Sequence, residues 1–305
     1  MTPSDRPLPP APRYFIGIDG GGTGTRARLT DAQGRLLGTG EAGPSGLALG
    51  SALAWAQVRQ AIAAAFEQAA LPLAQPGQCA IGLGLAGAGS PARTDHFRRD
   101  APPFAAMALA TDATAALLGA HAGRPGAIVA AGTGSVGMAW HADGRQVLVG
   151  GWGFGVGDEG GGAWLGQRAA QRAQQALDGR ASAGTLARAV WRVAGGERAA
   201  LVDWCSRAGQ AGFAGLAPLV FAQAEVDPAA RALLGRAVDE LAAMAQALDP
   251  AGVLPLVVTG SVGQRLQPRL PVALRARCVV PAGDAAQGAL RLLHQHLATA
   301  SASTP

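Results

Sequence analysis

Phe15-Ile16-Gly17-Ile18-Asp19-Gly20-Gly21-Gly22-Thr23-Gly24-Thr25-Arg26-Ala27-Arg28-Leu29 runs from an apolar stretch through a glycine turn into an alternating stretch. The residues just after the glycines decide the fold. A dinucleotide-binding glycine fingerprint leads from a strand straight into a helix, whereas Arg26-Ala27-Arg28-Leu29 alternates as a strand does. The turn therefore closes a hairpin. It also recurs, because Gly132-Thr133-Gly134-Ser135 lies 110 positions beyond Gly22-Thr23-Gly24-Thr25. The same offset pairs Ala32-Gln33-Gly34-Arg35 with Ala142-Asp143-Gly144-Arg145, and Gly40 with Gly150. Glycine is 45 of 305 residues, so one Gly-x-Gly would carry little. A second polar turn at the same offset makes this a duplicated β-meander.

Glycine turns expose several backbone N–H groups, and neighbouring Thr or Ser hydroxyls add donors for anionic oxygens. Two such turns suit a polyphosphate, although tight hairpins needing glycine only for positive φ would explain either copy alone. At 305 residues and 49% hydrophobic content, the chain is long and apolar enough for two cores. The Pro-rich start, Thr2 to Pro12, and the Ser/Thr/Ala tail after Ala298 read as disordered. A net charge of +5, carried by scattered arginines, argues against nucleic-acid or membrane partners.

All 25 basic residues are arginine. Without lysine there is no Walker A loop, no protein-kinase phosphate lysine and no Schiff base. Cys79, Cys205 and Cys278 form no Cys-x-x-Cys pair, so no zinc or cluster spacing is present. With no signal-type leader and no apolar span of membrane length, the expectation is a reduced, soluble, cytoplasmic protein.

The pattern predicts a strand over 14–18, a helix over 51–70, strands over 79–85 and 107–110, and a helix from Thr111-Asp112 to about Ala122. The second meander spans 127–151. Beyond it the chain is mostly helix to Asp249, with Asp227-Pro228 as a start signal and Asp249-Pro250 as a stop. Strands over 253–258 and 278–280 and a helix from Asp284 to Leu297 complete an α/β architecture with glycine turns at strand ends.

Ile16-Gly-Ile-Asp19-Gly20-Gly21-Gly22-Thr23, Ala131-Gly132-Thr133-Gly134-Ser135 and Val257-Val-Thr-Gly260-Ser261-Val262-Gly263 resemble the phosphate-1, phosphate-2 and adenosine motifs of the acetate kinase, sugar kinase and actin superfamily. Gly150-Gly151-Trp152-Gly153 and Gly157-Asp158-Glu159-Gly-Gly-Gly-Ala163-Trp164 resemble the N-acetylglucosamine and glucosamine kinases of the BadF/BadG/BcrA/BcrD ATPase family. The resemblance spans about 14–293. It implies two ribonuclease-H-like, actin-like ATPase domains around a central nucleotide and sugar cleft. The first would cover 1–118 and the second 119–283, with the helix over 284–298 returning to the first. It further implies an ATP- and Mg²⁺-dependent kinase acting on the 6-hydroxyl of an amino sugar, expected to be a homodimer.

Phosphoryl transfer asks the protein for positioning and charge neutralisation. Asp19 ends the first strand, and its counterpart 110 positions on is Val129, so a single carboxylate is available for one metal ion, held through water. It can equally be a turn-initiating Asp. Asp112 is the candidate general base for the sugar hydroxyl, or else a simple helix N-cap, and the two roles can coexist. The resemblance favours the base. Asp158 and Glu159 can hold sugar hydroxyls, or belong to a solvated loop before a helix. Trp152 can floor the sugar or fill core. The remaining sugar-side candidates are Ser45, Gly46, Gly87 and Gly151. Gly43-Pro44-Ser45-Gly46 stands where relatives commonly have Asn last, so an amide contact to the sugar is expected to be missing.

Two rival readings share the fold. One is the ATPase that activates 2-hydroxyacyl-CoA dehydratases, which needs paired cysteines for an iron–sulfur cluster. The other is a non-catalytic sugar-sensing protein, which needs a DNA-binding extension or a lost base.

Overall fold

The computed structural model describes residues 11–302. Most of the Pro-rich start therefore lies outside the described residues. The described chain divides into two compact units, one holding the residues up to Arg124 together with those from Val280 onward, the other Pro125–Val279.

In the first unit β1 (Tyr14–Gly20), β2 (Thr25–Thr30) and β3 (Leu36–Ala42) form the antiparallel meander. Helix α1 (Ser51–Gln68) then leads to β4 (Cys79–Leu85), which pairs parallel to β1; α2 (Pro91–Arg99) precedes β5 (Ala106–Thr111), parallel to β4, and α3 (Asp112–Ala120) comes directly after it. The sheet order is β3-β2-β1-β4-β5. One face packs on α1 through Ile16, Ile18, Leu29, Ile81 and Leu83 against Trp55 and Phe66. α2 is polar in sequence and has no apolar period to announce it; it docks by one residue. Phe97 stacks on Trp55 at 4.2 Å and accepts the indole N–H on its carbonyl at 2.9 Å. Burial of that ring is worth about 1.5–3 kcal/mol.

The second unit repeats the pattern with β6 (Gly126–Ala131), β7 (Ser135–Trp140) and β8 (Gln146–Gly150). A helical layer comes next in the chain: α4 (Gly162–Leu177), α5 (Thr185–Ala194), α6 (Arg198–Ala214), α7 (Ala217–Gln223) and α8 (Pro228–Leu248). Asp227 caps α8 by accepting from the Ala229 N–H at 2.8 Å, and Pro228 fits the first turn, where no N–H partner is needed. Strand β9 (Leu256–Thr259) pairs parallel to β6, giving the order β8-β7-β6-β9, and the short helices α9 (Ser261–Leu266) and α10 (Val272–Arg275) come after it. The strand expected over 278–280 is not formed. Cys278 makes a single bridge to Leu256, and Val280, 90% exposed, has no sheet to cover it.

The last helix, α11 (Ala285–Ala302), lies on the open face of the first sheet beside α3. Two glycines permit this, since a Cβ at Gly17 would collide with the Ala286 carbonyl and one at Gly82 with that of Ala289. A capping box starts it: Asp284 Oδ1 accepts the Gln287 N–H at 2.8 Å, and Gln287 Oε1 accepts the Asp284 N–H at 3.0 Å. The helix runs on past Ala298, so the described part of the expected disordered tail is helical; the final three residues lie outside the described residues. Among the described residues no helix is long and apolar enough to cross a membrane.

Candidate active site

Three strand-end loops meet in the first unit. The Ala86 N–H donates to the Gly20 carbonyl at 2.8 Å, and the Leu47 N–H donates to the Ala86 carbonyl at 2.8 Å. The Ser45 and Gly46 N–H groups both donate to the Gly21 carbonyl, at 3.1 and 3.0 Å. Asp19, Gly20–Thr23, Ser45, Gly46 and Gly87 are thereby brought together. Ser45 is fully buried, its Oγ lying 2.7 Å from Thr25 Oγ1, and a Cβ at Gly20 would strike it. Ser45 is thus part of the loop's interior. Gly46 has ordinary extended angles, φ −57° and ψ 134°, and an added Cβ would find its nearest neighbour at 3.6 Å. A side chain would fit there, and none is present.

Glycines 21 and 22 tell a different story. A Cβ on either would meet nothing within 4 Å, and neither adopts a positive φ. The fold does not need glycine there; what glycine leaves is open backbone, which suits close approach by a ligand.

Asp19 stands half-buried above this turn with Arg26 Nη1 3.8 Å from its carboxylate. Burial pushes its carboxyl up to about 6, the Arg26 guanidinium opposes that rise, and the negative charges of Asp112 and Asp284 add to it. Asp112 begins α3 at the end of β5, but the helix cap is Thr111, whose Oγ1 accepts the Thr114 N–H at 3.1 Å. The capping task is taken by its neighbour. Burial also raises the Asp112 carboxyl, against the Ala113 N–H, which donates to its Oδ1 at 3.0 Å.

The corresponding turn of the second unit is held by other means. The Gly162 and Ala163 N–H groups at the start of α4 donate to the carbonyls of Gly132 and Thr133, both at 2.8 Å. The Gly151 N–H donates to the Ser135 carbonyl at 3.1 Å, tying the Gly151–Trp152 loop to the turn. Ser135 gives its N–H to Asp158 Oδ1 at 3.1 Å and its hydroxyl to the Glu159 carbonyl at 2.6 Å. Asp158 is 5% exposed and takes φ +63°; its other oxygen accepts the Gln210 amide at 2.7 Å. Burial raises its carboxyl, the Ser135 N–H and Gln210 amide oppose, and Glu159 adds to the rise. Asp158 is therefore neither in a solvated loop nor a helix cap; both its oxygens are engaged inside the unit. Glu159 is half-buried, and Trp152, 79% exposed, does not fill core.

Gly260–Gly263 adjoins the same turn. Gly260 has φ +83°, and a Cβ there would strike the Ala131 carbonyl, so only glycine fits; Val262 is buried and Ser261 exposed. Sequence reasoning passed over Gln210, which belongs to no motif. Its one signal is Gly209, a glycine inside a helical stretch.

Comparison with known proteins identifies the family and the fold. The profile of the BadF/BadG/BcrA/BcrD ATPase family matches residues 16–269. Glucosamine kinase GspK of Vibrio cholerae is 36% identical over 278 residues, covering 91% of this chain and 94% of that protein. A crystal structure from Chromobacterium violaceum, put forward as an N-acetylglucosamine kinase, superposes with a TM-score of 0.91 at 52% identity, covering 93% of this chain and 100% of that one. A ROK-family glucokinase of Streptomyces griseus, solved with glucose and AMPPNP, shares the fold at a TM-score of 0.55 and 18% identity, covering 92% of this chain and 99% of that one.

Proposed function

The chain belongs to the BadF/BadG/BcrA/BcrD ATPase family, and from that premise we propose that it is an ATP-dependent kinase that phosphorylates the 6-hydroxyl of an amino sugar, N-acetylglucosamine or glucosamine. The observation that carries the reading is the pair of braced glycine turns with backbone left open at Gly21, Gly22 and Gly132, together with the half-buried carboxylates Asp19 and Asp112 of the first unit.

Gly20–Thr23 and Gly132–Gly134 bind phosphate oxygens through backbone N–H groups and the Thr23 and Thr133 hydroxyls, and Gly260–Gly263 takes the adenosine. Ser135, expected at the phosphates, has its N–H and hydroxyl engaged inside the unit and holds the turn instead. Asp112 accepts the proton of the 6-hydroxyl as the γ-phosphoryl arrives; burial keeps its carboxyl more basic than an exposed Asp. Asp19 is a hard oxygen donor, and among the described residues no cluster of three metal-ligating side chains exists. A lone carboxylate fits Mg²⁺, which keeps most of its waters and takes its other ligands from phosphate. Bound there, Mg²⁺ would neutralise charge on the phosphoryl oxygens. Glu159 and the exposed face of Trp152 serve the sugar, while Gly46 and Gly87 shape its wall; Asp158 and Ser45, enclosed in their loops, act by holding those loops in place. Gly46 leaves room beside that wall, so both an N-acetyl group and a free amine are accommodated. Residence in the cytoplasm and assembly as a homodimer, which sedimentation would test, complete the reading.

The dehydratase-activator reading finds little support in the thiols. Cys79 is buried in β4, where burial pushes its thiol up to about 11, as befits a small core residue. The deciding experiment couples ATP consumption to phosphosugar formation across N-acetylglucosamine, glucosamine, N-acetylmuramic acid and glucose, for the natural protein and Asp112→Asn. The expected result is turnover of an amino sugar that falls by roughly 10²–10⁴ in the variant with nucleotide binding kept. Comparable turnover by the variant would remove Asp112 from the base role.

A further inference from the structure

Helix α6 is interrupted by Gly209, whose φ of +53° and ψ of −171° lie outside the helical region. Nothing within 4 Å of a Cβ there demands a small residue, so the glycine serves the backbone conformation alone. The break comes one residue before Gln210. That exposed residue sends its amide back to a buried carboxylate 52 positions earlier in sequence, Asp158 Oδ2, at 2.7 Å.

Asp158 itself holds a conformation that costs a non-glycine residue about 1–3 kcal/mol, φ +63°, and must be held from outside. Its carboxylate lies against Gly134, where a Cβ would come within 2.5 Å of the carboxyl carbon, and its Oδ1 accepts the Ser135 N–H. A continuous chain of contacts therefore runs from the break in α6 through Gln210 and Asp158 to the second glycine turn. Among the described residues, Gln210 is the side chain that donates to the Asp158 carboxylate.

We propose that Gln210 is a positioning residue for nucleotide binding: its amide fixes the Asp158 carboxylate, which in turn fixes Ser135 and the Gly132–Ser135 turn. The inference rests on the reading of that turn as a phosphate loop. Because Gln210 is exposed, replacing it removes a hydrogen bond and leaves the core packing intact. A hydrogen bond to a charged group is worth about ten- to a hundredfold in its own equilibrium, and an exposed donor that water can replace passes on a smaller share, about five- to tenfold.

The test is titration of a non-hydrolysable ATP analogue into the full chain, with melting temperatures alongside, for the natural protein, Gln210→Ala, the isosteric Gln210→Glu and Gly132→Ala. The last fills open backbone in the turn itself, since a Cβ there would meet nothing within 4 Å. The proposal expects Gln210→Ala to weaken the analogue about five- to tenfold with little change in melting temperature, and Gln210→Glu to weaken it further. A role in shape alone would leave the isosteric variant at the natural affinity, which would overturn the proposal. Weakening by Gly132→Ala with both Gln210 variants unchanged would also overturn it, while keeping the turn as a phosphate loop. No response from any of the three would remove both.

Discussion

The two glycine turns stand 110 residues apart and share their backbone plan, yet they are built to different tolerances. Their distal polar turns match bond for bond: the Asp31 N–H donates to the Arg35 carbonyl and the Gly34 N–H to that of Asp31, as the His141 N–H does to Arg145 and the Gly144 N–H to His141. At the glycine-turn ends they part. Four residues separate β1 from β2 and three separate β6 from β7, so Asp19 faces Arg26 whereas Val129 faces Gly137 and not Val136. The first turn rests on a buried hydroxyl pair, Thr25 and Ser45, and keeps a half-buried carboxylate at its strand end. The second has no carboxylate in the strand and is braced by one from a distant loop. Duplication supplied the scaffold, and each copy acquired its own electrostatics.

Asp19→Asn breaks the comparison most strongly, because it makes the first copy uncharged like the second. On the proposed reading of Asp19 as the residue that would hold Mg²⁺, amino-sugar phosphorylation at saturating substrate should fall on the order of a hundredfold, since the variant would give up charge stabilisation of the phosphoryl group. Stability should move the other way. A carboxyl raised to about 6 binds its proton more tightly when folded, so its destabilising effect is absent below about pH 4, grows as pH rises through 6 and is complete above it. Thermal melts without nucleotide at pH 7.5 should show the variant more stable by about 1–2 kcal/mol, with the difference vanishing near pH 4. Equal stability at both pH values would mean that the buried charge costs nothing.

The equivalent positions Gly24 and Gly134 sharpen the contrast. An added Cβ at Gly24 would lie 3.5 Å from the Ala42 carbonyl, whereas at Gly134 it would press on the Asp158 carboxylate, and neither glycine has a positive φ. Gly134→Ala should therefore destabilise the protein by about 1–3 kcal/mol in chemical denaturation, and Gly24→Ala by less than about 0.5 kcal/mol. Similar losses at both sites would argue that the two turns are braced alike.

Arg26→Ala should have the smallest effect. Its side chain is 70% exposed, so the pair with Asp19 is worth about 0–1 kcal/mol. Removing the guanidinium takes away what opposes the rise of the Asp19 carboxyl, so the acid limb of kcat/KM should move upward by a fraction of a pH unit. An unmoved limb would detach that limb from Asp19.

Much of this is legible in the chain. The limits of β4 can be read to the residue because its apolar run is bounded by turn residues, and Asp227-Pro228 marks the start of α8 by capping chemistry. α2 escapes notice because it buries a single aromatic and shows no period. Val279 and Val280 read as strand because they are β-branched, but pairing with β9 stops at one bridge, the Val279 N–H donating to the Leu256 carbonyl, and Val280 extends beyond it exposed. Thr111 takes the cap that Asp112 is also eligible for, a choice between adjacent residues that propensity does not make. Gln210 is invisible, since a hydrogen bond spanning 52 positions leaves no mark on local pattern.

By itself the sequence determined the duplicated meanders, the two cores, the absence of lysine chemistry and the residues eligible for the site, because period, turn chemistry and composition are local properties. Tertiary structure alone decided which carboxylates are buried, that Asp158 braces the second glycine turn, that Ser45 lies in the interior and that Trp152 does not. Burial and hydrogen-bond partners depend on what distant segments bring into contact, and for a carboxylate those partners fix both its charge and the work it can do.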